Sequence, residues 1–337
     1  MVGTALSVLS ISLLALAGTG VPLTSQATVV ALLQALVSAL AMNVAIVGIN
    51  QLYDIEIDKV NKPYLPLASG ALTPAQGLAI VVVSSVVGTG VGLAAGSPPL
   101  LATLLVSLAL GVAYSADHPL LRWKRSPVLA AACILAVRAI IVQLGFYAHM
   151  RAAVLGAGAA AAGAVGTGVG AAKAAAAGAA AAASAASTSA APAGLAGGLS
   201  GLLGWLTASY SPSVLFVATF MLFFSIVIAL FKDIPDVLGD RQAGMRTLSV
   251  RLGEGAVFRL CVGLLAAAYC WAMAASLVLP GSLPARAALF VGHALLCGLL
   301  LVRSRAVDTR SRAGLADHYM FVWKLFYAEY LLIPLFG

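Results

Sequence analysis

Long apolar runs recur along this chain at lengths that few folds can use. Nine of them, at roughly 2–19, 27–50, 76–95, 99–117, 127–149, 212–231, 256–279, 285–302 and 318–336, are each near the length of a membrane-spanning helix. Such a helix needs about 20 mostly apolar residues. Hydrophobic residues make up 62% of the chain and charged ones 9%, whereas a soluble domain carries about 25% charged residues. Water cannot solvate so weakly charged a surface. A mean hydropathy of +1.04 agrees. The expected fold is an all-α integral membrane protein, a bundle of about nine transmembrane helices forming one domain over residues 1–337. Residues 152–209 interrupt it with a low-complexity insert of mainly Ala and Gly, which buries little area and reads as mobile or loosely helical.

Basic residues divide unequally between the two sets of loops. The even-numbered loops hold thirteen: Lys59, Lys62, Arg122, Lys124, Arg125, Lys232, Arg241, Arg246, Arg251, Arg303, Arg305, Arg310 and Arg312. The odd-numbered loops hold three, Arg151, Lys173 and Arg286. Positive charge marks the cis face of a membrane protein, so the even loops are expected there. The same distribution explains the net charge of +8 without nucleic acid, since no basic arm is present. The chain begins directly in an apolar segment, Val2–Gly18, with no charged leader ahead of it. Targeting is then internal, or the N-terminus has been trimmed. Cys133, Cys261, Cys270 and Cys297 all lie in apolar stretches with no CxxC pair, which argues against disulfides and zinc.

Two acidic segments fall in even loops, about 175 residues apart, in a chain with 11 acids. In the first, Asn50, Asp54 and Asp58 recur every four residues, which places them on one face of a helix. Carboxylates stacked so closely are tolerable around a cation. Magnesium suits hard oxygen ligands and takes one or two carboxylates together with substrate phosphates. Glu56 points away and is expected to be solvated. In the second segment, Asp233, Asp236 and Asp240 again share a helical face. Pro235 ends the preceding span near Phe231, and Lys232 is a point charge available to a phosphate. Lys62 follows the first motif and could neutralise a diphosphate. Arg122-Trp123-Lys124-Arg125 reads either as a topology anchor with an interfacial Trp or as substrate contacts. Tyr114 and Ser115 end a span on the same face. Arg138, deep in the fifth span, could meet an acceptor carboxylate or bond backbone carbonyls. Lys324 and Glu329 are further charges inside a span, where charge is costly. His118 and His149 have no partner at ligand spacing.

These residues resemble a known family. Asn50-xxx-Asp54-xxx-Asp58, the following Asn-Lys-Pro and Pro66-Leu-Ala-Ser-Gly, and the second DxxDxxxD are similar to the UbiA superfamily of membrane prenyltransferases. Within it, NQLYDIEIDKVNKPYLPLASG, AYSADHPLLRWKR, CILAVRAIIVQLGFY and ALFKDIPDVLGDRQAGMRTLSVRLG resemble the homogentisate phytyltransferases of plant and algal plastids. The resemblance covers nearly the whole chain outside 152–209. It implies that Asn50, Asp54 and Asp58 bind one Mg2+ with the donor diphosphate. Asp233, Asp236 and Asp240 would bind a second, with Lys62, Tyr114, Ser115 and Lys232 beside them. The metal-ligating carboxylates would be Asp54, Asp58, Asp236 and Asp240, and Arg122, Lys124 and Arg138 complete the expected substrate contacts. The implied substrates are phytyl diphosphate and homogentisate, the product a tocopherol precursor, and the place a plastid envelope or thylakoid membrane with the acids facing the stroma. Geranylgeranyl and solanesyl transfer to the same acceptor remain alternatives. An ion transporter is the rival of another class, but transporters place acids near the bilayer midplane, whereas these sit at span ends beside basic residues suited to an anion.

Overall fold

The computed structural model describes residues 1–165, 204, 206–207, 209–234, 237 and 247–337. Most of the Ala/Gly-rich insert therefore lies outside the described residues. The chain divides into two compact units, Met1–Ser211 and Pro212–Gly337.

In the first unit α1 (Val2–Leu16), α2 (Gln26–Tyr53), the short α3 (Ile55–Asn61), α4 (Pro74–Ala94) and α5 (Pro98–Ser115) precede a single 3-10 turn at Trp123–Arg125. The fifth span is composite. It runs as α6 (Pro127–Leu135), a π-helical turn (Ala136–Ile141) and α7 (Val142–Val165). The second unit holds α8 (Pro212–Lys232), α9 (Leu248–Leu252), α10 (Glu254–Val278), α11 (Leu283–Arg305) and α12 (Arg312–Leu332), closed by a 3-10 turn at Ile333–Phe336. Among the described residues eight apolar segments are long enough to cross a bilayer; a ninth, α1, has 15 residues. At about 1.5 Å per residue α1 spans about 22 Å, short of a bilayer core of about 30 Å. The sequence predicted this helix to run to residue 19. It stops at Leu16 because Gly18 and Gly20 turn left-handed, at φ 71° and 69°, and Pro22 follows.

Half of these helix starts carry their own signal. Ser25, Ser126, Thr247, Ser282 and Ser311 each accept a hydrogen bond from a first-turn N–H. Thr73 and Gln76 close a reciprocal capping box ahead of α4. Each cap satisfies an N–H that the helix itself cannot.

The core of the first unit is built from small side chains around α2, which touches α1, α4, α5 and α7. Its inner face carries Ala31, Ala35, Ala39, Met42 and Ala45, all buried, while Val29, Val30, Leu33, Val37 and Val47 lie outward and exposed. Small residues inside and large apolar ones outside is the pattern expected where lipid replaces water and helices associate through close packing. The closest approach is at Gly145 of α7. A Cβ there would lie 1.7 Å from Thr103 Oγ1 on α5. Buried polar groups tie the helices together. His149 Nε2 donates to the Ala31 carbonyl at 3.0 Å, and its Nδ1 lies 2.8 Å from Ser97 Oγ. Gln143 donates to Ser7 Oγ at 3.3 Å.

The second unit is packed by aromatic rings instead. Phe224 meets Phe326 and Tyr269, and Phe231 meets Phe258. Within this core His293 of α11 stands 3.2 Å from Glu329 of α12, both fully buried, and His293 Nδ1 donates to the Leu289 carbonyl at 2.7 Å. Glu329, a costly residue inside a span by sequence, is thus partnered rather than exposed to lipid.

Candidate active site

The first acidic motif sits where α2 ends. The sequence predicted one continuous helix through Asn50, Asp54 and Asp58, and the structure corrects this. Asp54 leaves the helix, at φ −117° and ψ 12°, and serves both as the C-cap of α2 and as the residue before α3. Its N–H reaches back to Gln51, and its own carbonyl accepts from Asp58 N–H at 2.7 Å. Aspartate competes locally with helix continuation, and the β-branched Ile55 and Ile57 that follow weaken it further. The three residues therefore flank a bend rather than line one face.

Each member is placed by a different partner. Asn50 Nδ2 donates to Ser115 Oγ at 3.3 Å, joining the ends of α2 and α5, and Ser115 is buried. Tyr114 occupies the same last turn of α5. Asp54, with a side chain only 12% exposed, receives Lys124 Nζ directly on Oδ2 and has Arg122 Nη2 3.8 Å from Oδ1. Asp58 is buried at 5% exposure and faces Lys62 Nζ at 3.9 Å. Glu56 is exposed and paired with Lys59 at 2.7 Å, so it stands apart as expected. The Arg122–Arg125 segment therefore does more than anchor topology: two of its cations meet the central aspartate.

Sequence reasoning passed over Asp117. Its Oδ2 lies 2.6 Å from Arg122 Nη1 and its Oδ1 3.5 Å from Arg125 Nη2. The hydrogen bond from Arg122 holds its carboxyl below the ordinary carboxylate range. The available signal was one acid in AYSADHPLLRWKR, followed by three bases within eight residues.

At this end of the first unit Asp54, Asp58 and Asp117 face Lys62, Arg122, Lys124 and Arg125. Glu56 and Lys59 neutralise each other. The excess of positive charge suits a polyanion. Asp54 Oδ1 is buried without a hydrogen bond, with only the Arg122 guanidinium near it at 3.8 Å, and a hard cation would satisfy it. Among the described residues no three acidic, histidine or cysteine side chains form a metal-holding group by themselves. A magnesium ion would thus need phosphate oxygens to complete its shell, which is its ordinary habit.

Of the second motif, Lys232 ends α8 exposed and Asp233 follows it half-buried. The span ends where the sequence placed it. Asp236 and Asp240 lie outside the described residues. Arg138 falls within the π-helical turn, half-buried in mid-span. A π turn inserts one extra residue and often marks a functional position; nothing in the sequence announced it.

The chain matches the model of the UbiA prenyltransferase family over residues 5–176 and 152–325. It is 45% identical to "Probable homogentisate phytyltransferase 1, chloroplastic" of Oryza sativa subsp. japonica, over 99% of this chain and 70% of the relative. It is 43% identical to the homogentisate geranylgeranyltransferase of Triticum aestivum, over 90% of this chain and 62% of the relative. A UbiA homologue from Archaeoglobus fulgidus, solved bound to DMAPP and Mg2+, superposes with a TM-score of 0.52 at 14% identity, covering 99% of this chain and 95% of the other. At that identity the likeness speaks for the fold alone. The sequence match is of another order, spanning nearly every residue and both acidic motifs, and it places the chain in the UbiA prenyltransferase family.

Proposed function

We propose that this chain transfers the phytyl group of phytyl diphosphate to homogentisate, with loss of carbon dioxide, to give 2-methyl-6-phytyl-1,4-benzoquinol. The observation that carries the reading is the Asp54 site: a buried acid with an open oxygen, ringed by an excess of cations, in a chain 45% identical to a plant enzyme of that name. The relatives' chloroplast location supports a plastid membrane for this chain. The charge census supports acidic motifs on the stromal face.

Asp54 and Asp58 are the residues of the first unit that would hold Mg2+, with Asn50 beside them. Asp233, Asp236 and Asp240 would hold a second ion. Bound there, magnesium would neutralise the charge that builds on the leaving diphosphate oxygen. Lys62, Arg122 and Lys124 would supply fixed positive charge beside Asp54 for the diphosphate oxygens, which costs no reorganisation as charge develops, and Lys232 is the cation next to the second motif. Ser115 holds Asn50 beside the site through their hydrogen bond, and Tyr114 would contribute from the same last turn of α5. Arg138 would meet the acceptor carboxylate. The allylic C–O bond breaks, and the electron-rich ring forms the new C–C bond. Carbon dioxide leaves from the side chain, and the proton lost by the ring balances the one gained by the new methyl group. Apolar helices keep water from the carbocation.

Geranylgeranyl diphosphate is the competing donor, favoured by the 43% identity to the wheat enzyme. The test is purified full-length protein in liposomes with homogentisate, Mg2+ and both donors in competition. The expected result is a phytylated product, abolished by chelation of the metal. Asp54→Ala should reduce turnover by at least about 100-fold while inserting normally. Preferential use of geranylgeranyl diphosphate would move the assignment to that donor, and metal flux without transfer would overturn the enzyme reading.

A further inference from the structure

We propose that Asp117, which no expected site included, is a positioning residue for diphosphate binding: it holds Arg122, and through it the Arg122–Arg125 segment, against Asp54. This rests on the diphosphate reading of the Asp54 site.

Arg122 has a left-handed backbone, at φ 58° and ψ 45°, and is the one non-glycine among the described residues with positive φ. Such a conformation is unfavourable for an L-residue and persists where its surroundings hold it. Around it the loop closes on itself. Leu121 N–H donates to the His118 carbonyl at 2.9 Å, Arg125 N–H to the Arg122 carbonyl at 3.0 Å, and Trp123 Nε1 to the Leu120 carbonyl at 3.0 Å. These bonds shape the loop but do not aim its cations. The aiming contact is a single guanidinium between two acids. Arg122 Nη1 is 2.6 Å from Asp117, and Nη2 is 3.8 Å from Asp54. Asp117 also reaches Arg125, at 3.5 Å. The near contact therefore fixes Arg122 from outside, and the far one is left looser and free to serve a bound anion. Lys124, two residues on, is delivered onto Asp54 by the same turn.

Asp117 is half exposed, with a side-chain exposure of 53% against 12% for Asp54. Its two contacts face the arginines, so it is not placed to touch an anion held at Asp54. Here charge and positioning predict opposite signs. As a bare negative charge beside a polyanion site Asp117 repels the ligand, so neutralising it should tighten binding. As the brace of Arg122 it aids the ligand, and neutralising it should weaken binding.

Calorimetric titration of the detergent-solubilised full chain with magnesium pyrophosphate separates the two. Asp117→Asn is expected to weaken binding by about 5–10-fold, the scale of one lost charge-assisted contact. Asp117→Glu should restore affinity to within about 2-fold, since the exposed side has room. In an Arg122→Ala background Asp117→Asn should add less than about 2-fold, as expected of two residues acting through one contact. In turnover the donor KM should rise with kcat unchanged. If Asp117→Asn is not recovered folded, Asp117→Ser takes its place with the same expectations. Equal or tighter binding by the neutral variant, or an undiminished effect without Arg122, overturns the inference. A wild-type chain that ignores magnesium pyrophosphate would instead overturn the diphosphate reading beneath it.

Discussion

Asp54 carries more of this site's physics than any other side chain. It caps a helix, accepts Lys124, approaches Arg122 and keeps one buried oxygen unbonded. Lys124 thus stands where a metal's charge would be needed. A buried charge stripped of its partner is costly, so the lysine and a cation compete for the same carboxylate. Replacing Lys124 by the similarly long, uncharged Met should tighten Mn2+ binding without diphosphate by about 3–10-fold and weaken pyrophosphate binding in the presence of metal by about 10-fold. Electron paramagnetic resonance titration of the solubilised protein reads the first, and calorimetry the second. Unchanged metal affinity would mean that the ion does not use Asp54. The acids themselves were legible in the sequence, because carboxylates are rare in this chain and their spacing is regular. Asp117 was not, since its meaning depends on a left-handed turn that folds Arg122 back over five residues.

Among the elements, the spans were legible and their interruptions were not. Apolar length sets the helices of a bilayer, and capping serines and threonines mark their starts. The break at Asp54 and the π turn at Arg138 leave no glycine or proline behind them to be read. They are set by tertiary partners, which a pattern of periods cannot report. Helix contacts were equally silent, though they are testable. Gly145 lets α7 approach Thr103 of α5, whereas a Cβ at Gly90 of α4 would meet nothing within 4 Å. Gly145→Val should therefore cost about 1–3 kcal/mol, as overpacking does, and lower the thermal midpoint in detergent. Gly90→Ala should stay within about 0.5 kcal/mol of the parent, as an unobstructed site permits. Equal effects from both would refute the close α5–α7 approach.

At the scale of the molecule, each of the nine apolar runs is met by an apolar helix among the described residues, with α1 shorter than its run. The spans are unequal members. Pro212–Lys232 is almost wholly apolar, whereas Arg312–Phe336 carries Asp317, Lys324 and Glu329. Alone, that final segment is a poor candidate for the translocation machinery, because a charged residue in a span raises its apparent insertion free energy by about 2.5–3.5 kcal/mol at the helix centre. The buried contact between His293 and Glu329 leads to an expectation about biogenesis. If α11 and α12 leave the translocon as a hairpin, the imidazole would mask the carboxyl before lipid surrounds it. In a glycosylation-reporter assay, Arg312–Phe336 should insert less efficiently when His293→Ala is present upstream, and removal of the acid by Glu329→Leu should abolish that dependence. The span Arg312–Phe336 would then owe its place in the membrane to the helix synthesised before it.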